Sequence, residues 1–234
     1  MNAIQTITRS VTHLFFPQVC HGCGSDLVKK DQLLCFRCIH QLPYTRFQFH
    51  SGNPTEKIFW GRLPVRHAAS IFYLTKDSIL EKLLYQLKYK GRKEVGVYCG
   101  RLMAQAIGET EFAGIDSLIP LPLFPKKERK RGYNQAAILC NGIAEINGKP
   151  VLMNAVERTS TTETQTRKNR VERWKNMEGR FCISGAANLS GRHVLLVDDV
   201  ITTGATLEAC GSEIVKAGAT LSLLTLGYAA SRKV

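Results

Sequence analysis

Residues 194–206 read Val-Leu-Leu-Val-Asp-Asp-Val-Ile-Thr-Thr-Gly-Ala-Thr, and no other stretch constrains the fold of this chain as much. Four consecutive apolar residues, Val194 to Val197, suit a strand covered on both faces, as in a parallel sheet between helix layers. Two carboxylates, Asp198 and Asp199, follow at the C-terminal end of that strand. A turn of Thr202, Thr203, Gly204, Ala205 and Thr206 then opens a helix with Leu207, Ile214 and Val215 as expected core positions. Backbone N–H groups at such a helix start lack intrahelical partners and point at a bound anion, which the helix dipole also favours. Gly204 lets the backbone approach closely, and the three threonines add hydroxyl donors. The two carboxylates would repel a phosphate, so they suit sugar hydroxyls or a metal held through water. A plainer alternative is a buried strand with an Asp capping the next helix. Capping alone does not require a second Asp, two Thr and a Gly in this order. The stretch does not end in the Gly-Lys-Ser/Thr of a Walker A loop.

A parallel strand needs a sheet around it, and 234 residues suffice for one α/β domain plus a small accessory module. The net charge of +13, from 32 basic and 19 acidic residues, favours a polyanionic ligand such as nucleic acid, pyrophosphate or a nucleotide. General surface basicity that serves solubility is the alternative. No apolar run is long enough to span a membrane, so membrane insertion is not expected. Residues 1–16 lack the basic start, apolar stretch and cleavage site of a signal peptide. The expected location is cytoplasmic, where eight cysteines are metal ligands or buried thiols rather than disulfides.

Ile4, Ile7, Val11, Leu14 and Phe15 recur at helical spacing, and Pro17 ends that pattern. Cys20 and Cys23 then form one C-x-x-C pair and Cys35 and Cys38 another, eleven residues on. Two such knuckles suit one tetrahedral Zn²⁺ held by four thiolates. Buried or redox-active cysteines are the alternative, although neither pair has the βαβ context of a thioredoxin-like motif. Cys99, Cys140, Cys182 and Cys210 lie among apolar residues and read as core thiols. Residues 41–63 look like a connecting segment, with a turn at Asn53 and Pro54. A strand is expected over 66–74. Ser78 should cap a helix through Leu87 that ends in the basic cluster Lys88, Lys90, Arg92 and Lys93, and a second helix carries Val95 to Ile107.

Residues 115–123 suit a strand that must leave the sheet at Pro120 and Pro122. A loop with Lys126, Lys127, Arg129, Lys130 and Arg131 follows and leads into a helix from Ala136. A basic loop between a strand end and a helix start is a second candidate anion site, against the alternative of a solvated charge run. Residues 151–156 read as a strand. The polar stretch from Arg158, rich in Thr and Arg, has the length of a functional lid or a disordered segment, with Trp174 at its far end. Residues 181–183 and a turn at Ser190 and Gly191 lead into the stretch at 194–206, and a last strand is expected at 220–228, after a helix ended by Gly218. The order β–α–β–lid–β–α–β suggests parallel strands with crossover helices. Ligands bind such sheets at the C-terminal strand ends, so both candidate loops should face one crevice.

Residues 194–206 resemble the ribose-phosphate signature of type I phosphoribosyltransferases. That resemblance implies Asp198 and Asp199 at the ribose 2′ and 3′ hydroxyls of phosphoribosyl pyrophosphate, with residues 202–206 around its 5′-phosphate. The whole chain resembles the ComF family of phosphoribosyltransferase-like competence proteins. The resemblance rests on the four-Cys head, Leu87-Lys88-Tyr89-Lys90-Gly91, Pro120 to Leu123, Arg131-Gly132-Tyr133-Asn134-Gln135, Thr162 with Gln165, Arg173 with Asn176, and residues 194–206. It implies a type I phosphoribosyltransferase fold over 51–234 and a zinc-binding module over 1–50. It also implies Mg²⁺ with the donor, transfer of the phosphoribosyl group to an acceptor, and a part in DNA uptake alongside competence-machinery proteins. Lys127, Arg129 and Arg131 would then lie near the pyrophosphate, and Thr162, Gln165 and Arg173 in a closing lid. The alternative is a non-catalytic protein whose basic loops track single-stranded DNA, with Tyr89, Tyr133 and Trp174 stacking on bases or, more plainly, packing.

Overall fold

Four parallel strands frame the structure, a computed structural model that describes residues 18–29, 32–158, 181–185 and 187–229. The helix expected over 4–15 and the lid residues Thr162, Gln165, Arg173 and Trp174 lie outside the described residues. In chain order the elements are α1 (Phe36–His40), α2 (Pro54–Lys57), β1 (Ala68–Tyr73), α3 (Ile79–Tyr89), α4 (Lys93–Ile107) and β2 (Ser117–Pro120). Then come α5 (Pro125–Arg131), α6 (Gln135–Asn147), β3 (Val156–Arg158), β4 (Phe181–Ile183), β5 (His193–Ile201), α7 (Ala205–Lys216) and β6 (Thr220–Tyr228). The main sheet has the order β1-β6-β5-β2 with every neighbouring pair parallel. β3 and β4 form a separate antiparallel pair. Among the described residues no helix is long and apolar enough to cross a membrane.

β5 and β6 are the central strands and are covered on both faces, which explains their near-continuous apolar runs. Leu195 and Val197 face one core with Leu83, Met103 and Leu139. Val194 and Leu196 face the other core with Phe59, Leu207 and Ile214. On the first face α4 and α6 touch backbone to backbone. A Cβ on Gly100 would stand 2.2 Å from the Leu139 carbonyl oxygen, and one on Gly142 would stand 2.1 Å from that of Val97. Ser78 caps α3 as expected, its hydroxyl accepting from the Glu81 N–H at 3.2 Å.

The head joins the first core. Cys20, Leu34, Cys35, Cys38, Leu42 and Phe47 belong to the same buried cluster as Leu80 and Leu83 of α3. His21 Nδ1 lies 2.6 Å from Gln86 Oε1, and Gln86 Nε2 donates to the His21 carbonyl at 2.8 Å.

Four expectations change. The basic stretch after β2 is a helix, α5, rather than a loop. Pro125 stands in its first turn and Glu128 near its N-terminus. Arg129, Lys130 and Arg131 complement its C-terminal dipole, and Gly132 closes it at φ 81°. Residues 151–156 are not one strand: Val151 makes a parallel bridge to Leu118, the chain turns at Met153 and Asn154, and β3 begins at Val156. β5 does not stop at Val197 but runs through both carboxylates to Ile201, paired with β6 along the way. Cys182 is only half-buried, whereas Cys99, Cys140 and Cys210 are buried thiols.

Candidate functional site

The site grows from the last turns of β5. Side chains alternate across a strand, so Asp199 shares the face of Leu195 and Val197, towards α3. There Lys88, in the last turn of α3, places Nζ 3.0 Å from both oxygens of Asp199. Lys88 and Asp199 are 21% and 13% exposed, so water screens this pair less than a surface pair. Asp198 sits on the opposite parity, towards α7. Its Oδ1 accepts the Asp199 backbone N–H at 2.8 Å. Burial, and then the charge of Asp199, push the Asp198 carboxyl up to about 8, against that hydrogen bond and the more distant Lys88 and Arg158. Of the two adjacent carboxylates, Asp199 takes the Lys88 ammonium, while burial favours the protonated form of Asp198.

Beyond Ile201 the chain turns through Thr202 and Thr203, both exposed, into Gly204 at φ 73°. Gly204 is the N-cap of α7, and no side chain caps the helix, so its first-turn N–H groups remain available to an anion. The glycine is needed twice over. Its φ is left-handed, and a Cβ there would lie 2.5 Å from Ile58 Cγ2 and 3.1 Å from the Phe59 ring. Ile58 and Phe59 come from the segment that reads in sequence as a connector. Asn53 caps α2 by accepting from Thr55 and Glu56, and its amide donates to the Ala68 carbonyl at 2.8 Å, which ties α2 to β1. Arg62 then donates to the Thr203 carbonyl at 3.4 Å and pairs with Glu208 in the first turn of α7. The loop is therefore backed by Phe59 and clasped by Arg62.

α5 and α6 supply the neighbouring wall. Asn134 caps α6 by accepting from Ala136 at 2.9 Å, and its amide donates to the Leu121 carbonyl at 2.9 Å. The Tyr133 hydroxyl donates to the Leu87 carbonyl, one residue before Lys88. Arg131 bonds Gln135 Oε1 at 2.8 Å and lies 5.9 Å from the Tyr89 ring. Lys127 and Arg129 are exposed on α5. Of the expected basic residues, Arg131 is therefore the one joined to the α3 terminus. A cleft of about 520 Å³ opens between Pro120, Pro122, Gly132, Asn134, Val156 and Arg158. Pro120 pairs with Val197, one residue before the carboxylates, so the cleft adjoins the end of β5. Arg158 stacks between Phe124 and Phe181, at 4.9 and 5.2 Å.

The four head cysteines converge, with all four sulfurs within 4.8 Å of one another. The Cys23 and Cys35 sulfurs are 3.8 Å apart, close to the edge of about 3.8 Å of a tetrahedron with Zn–S bonds of about 2.3 Å. Burial disfavours the Cys20 thiolate, but backbone N–H groups of Cys35, Cys23 and Gly22 outweigh it and hold that thiol down to about 6. Cys38 is pushed up instead, first by burial and then by the other three sulfurs. One thiolate is favoured and a further one resisted, and a cation among the four sulfurs would favour their thiolate forms. The group can hold a metal, and its geometry fits zinc.

Comparisons with known proteins point to one family. The phosphoribosyl transferase domain family matches residues 130–232, which takes in α6, both sheet-forming strands β5 and β6, and the site loop. Competence protein ComFC of Bacillus subtilis is 32% identical over 232 residues, covering 95% of this chain and 90% of that protein. This chain belongs to the ComF family. Competence protein F of Haemophilus influenzae is 28% identical over 216 residues, with 90% of each chain covered. DNA utilization protein YhgH of Escherichia coli K12 is 27% identical over 205 residues, with 86% of each covered. Among solved structures, the glutamine phosphoribosylpyrophosphate amidotransferase of B. subtilis superposes on 60% of this ComF chain and 30% of its own, with 19% identity and a TM-score of 0.42. The fold of the ComF chain is a phosphoribosyltransferase-type parallel sheet flanked by helices, carrying an N-terminal four-Cys cluster.

Sequence reasoning missed two parts of this site. Lys88 reads as one member of a basic cluster, with nothing to single it out from Lys90. Ile58, Phe59 and Arg62 lie in a segment whose Pro and polar content conceals its packing. The one local signal was Asn53-Pro54, since Asn at an N-cap followed by Pro at the first helical position marks a helix start as well as a turn.

Proposed function

We propose that this protein binds phosphoribosyl pyrophosphate with Mg²⁺ and transfers its phosphoribosyl group to an acceptor, in the service of DNA uptake. One observation carries the reading. A carboxylate pair lies near the end of the central strand, and a helix start with a left-handed glycine and no side-chain cap follows it within five residues. The helix start at 202–206 takes the 5′-phosphate, with N–H groups of α7 and hydroxyls of Thr202, Thr203 and Thr206 donating. Asp198 and Asp199 accept from the ribose hydroxyls. Carboxylate oxygens of this kind also suit Mg²⁺, which would neutralise the pyrophosphate when bound.

Charge develops on pyrophosphate as the anomeric carbon becomes cationic. Arg131, with Lys127 and Arg129 on the same helix, stabilises that leaving group more in the transition state than in the ground state. Thr162, Gln165 and Arg173 belong to the segment that we assign to a lid excluding water. The Pro120–Arg158 cleft beside the carboxylates receives the acceptor. The head, residues 1–50, holds a structural Zn²⁺ on Cys20, Cys23, Cys35 and Cys38 and leaves residues 51–234 as the transferase-type domain. We place the protein in the cytoplasm, where competence-machinery proteins and incoming DNA are its partners. Names of relatives, two of them competence proteins and one a DNA utilization protein, support that setting.

A second reading, binding of single-stranded DNA without catalysis, draws on α3. Tyr85 and Tyr89 are 52% and 65% exposed with rings 5.3 Å apart, and Lys90 and Arg131 lie against them. An exposed aromatic pair flanked by cations suits stacked bases. Calorimetric titration with phosphoribosyl pyrophosphate and Mg²⁺, on wild type and Asp198→Asn/Asp199→Asn, separates the two. Saturable binding lost in the variant supports the transferase reading. A folded, zinc-loaded wild type that ignores the donor but binds oligonucleotide sinks it in favour of the second.

A further inference from the structure

Resting on the donor-binding reading above, we propose that Lys88 is a donor-binding residue, held on Asp199 in the free site and passed to the pyrophosphate when the donor enters. The argument begins with geometry. Lys88 Nζ is equidistant, at 3.0 Å, from both oxygens of Asp199, so it occupies the carboxylate that the ribose hydroxyls must reach. Hydroxyls that take over those oxygens displace the ammonium, and a displaced ammonium in a half-buried site needs another anion. In an α-ribosyl donor the pyrophosphate stands on the same ring face as the 2′-hydroxyl and on the adjacent carbon. The nearest new anion for Lys88 is then the leaving group itself, reached by rotation of a flexible side chain rather than movement of the backbone.

The backbone is in fact fixed. Gln86, two residues earlier, exchanges two hydrogen bonds with His21 between the first two head cysteines. A Cβ on Gly22 would lie 3.2 Å from Ile79 Cγ2, at the other end of α3. Tyr133 holds the Leu87 carbonyl. The last turn of α3 is pinned from the head and from α6, so Lys88 starts from one place. Lys90 lies beside Tyr85 instead, at 5.8 Å from the ring, which sets the two lysines apart.

The test compares three probes: phosphoribosyl pyrophosphate, free pyrophosphate and ribose 5-phosphate, each with Mg²⁺, by calorimetry on full-length wild type, Lys88→Met and Lys88→Arg. Lys88→Met should bind phosphoribosyl pyrophosphate at least ~10-fold more weakly, ribose 5-phosphate as well as wild type or better, and free pyrophosphate, which brings no hydroxyls to release Lys88 from Asp199, with a smaller loss; Lys88→Arg should recover most of the difference. On wild type alone, amine acetylation read by mass spectrometry should rise at Lys88 with ribose 5-phosphate and stay low with phosphoribosyl pyrophosphate. That readout stands even where Lys88→Met fails to fold. Full donor affinity in Lys88→Met, equal losses for all three probes, or acetylation indifferent to which probe is bound would overturn the role of Lys88. The donor-binding reading would survive each of these results if Asp198→Asn/Asp199→Asn still abolished binding. A wild type that binds none of the probes overturns both.

Discussion

In the head, four thiols from two chain segments converge with one five-residue helix, α1, as their regular support. At the crevice, two carboxylates ride on a nine-residue central strand, and the loop beside them opens a twelve-residue helix that has no side-chain cap. The head's four sulfurs lie within 4.8 Å of one another and could hold a metal, whose charge would favour the thiolate forms that such crowding opposes. The crevice is shaped by sheet and helix before any ligand arrives. Its residual electrostatic tension is met from within, by the Lys88 pair and the proton on Asp198. The two regions are not independent, however, because α3 touches both. Ile79 and Gln86 face the head, and Lys88 faces Asp199.

Removing the head's ligands should break the contrast most severely. Cys35→Ser/Cys38→Ser should abolish zinc, read by metal analysis, and lower Tm by ~10 °C or more, because structural zinc contributes folding free energy directly. Cys35 and Cys38 share a core with Leu83, so donor affinity should weaken as well. An unchanged Tm would show that the head folds without metal.

Gly204→Ala attacks the crevice through shape alone. A left-handed φ and a Cβ 2.5 Å from Ile58 should together cost about 3 kcal/mol in denaturant unfolding, with donor binding lost and zinc retained. A stable, binding-competent variant would mean that the loop is softer than its packing implies. Asp198→Asn/Asp199→Asn should instead weaken the donor ~100-fold, about 2.7 kcal/mol, with no loss of Tm.

The pH dependence sharpens the comparison further. The folded pKa of Asp198, about 8, exceeds its usual value of 3.8. The folded state thus binds the proton more tightly than the unfolded chain. This contribution to stability is complete below pH 4 and is lost as pH rises through 8. Asp198→Asn should melt a few degrees above wild type at pH 9, with the gain shrinking towards pH 4. A gain of the same size at both pH values would refute the buried proton.

The smallest effect belongs to α5. Lys127→Ala/Arg129→Ala/Arg131→Ala should cost about 1 kcal/mol at most, nearly all of it from the Arg131 bond to Gln135, since Lys127 and Arg129 are exposed. It should lower affinity for a single-stranded oligonucleotide and flatten its salt dependence by up to about two units of logarithmic slope. An unaltered slope would remove α5 from any nucleic-acid surface.

By itself the sequence determined those features whose cause is local. Val194 to Val197 read as a buried strand, Ser78 suited a helix cap, and the two C-x-x-C pairs read as one four-thiol cluster. Residues 202–206 carried their own turn chemistry, so a helix start just after the carboxylates was legible before any packing was known. The helicity of Pro125–Arg131 was also written locally, in Pro125, Glu128, the terminal cations and Gly132, but the density of charge pointed to a loop. Tertiary structure alone decided which face each carboxylate took, which lysine met Asp199, and that Phe59 and Arg62 would support a loop some 140 residues away, since Arg62 and Thr203 stand 141 positions apart. Those pairings follow from how the strands stack and where α3 is pinned. Such contacts between distant segments leave no periodicity in either segment, because the burial that selects them belongs to neither one alone.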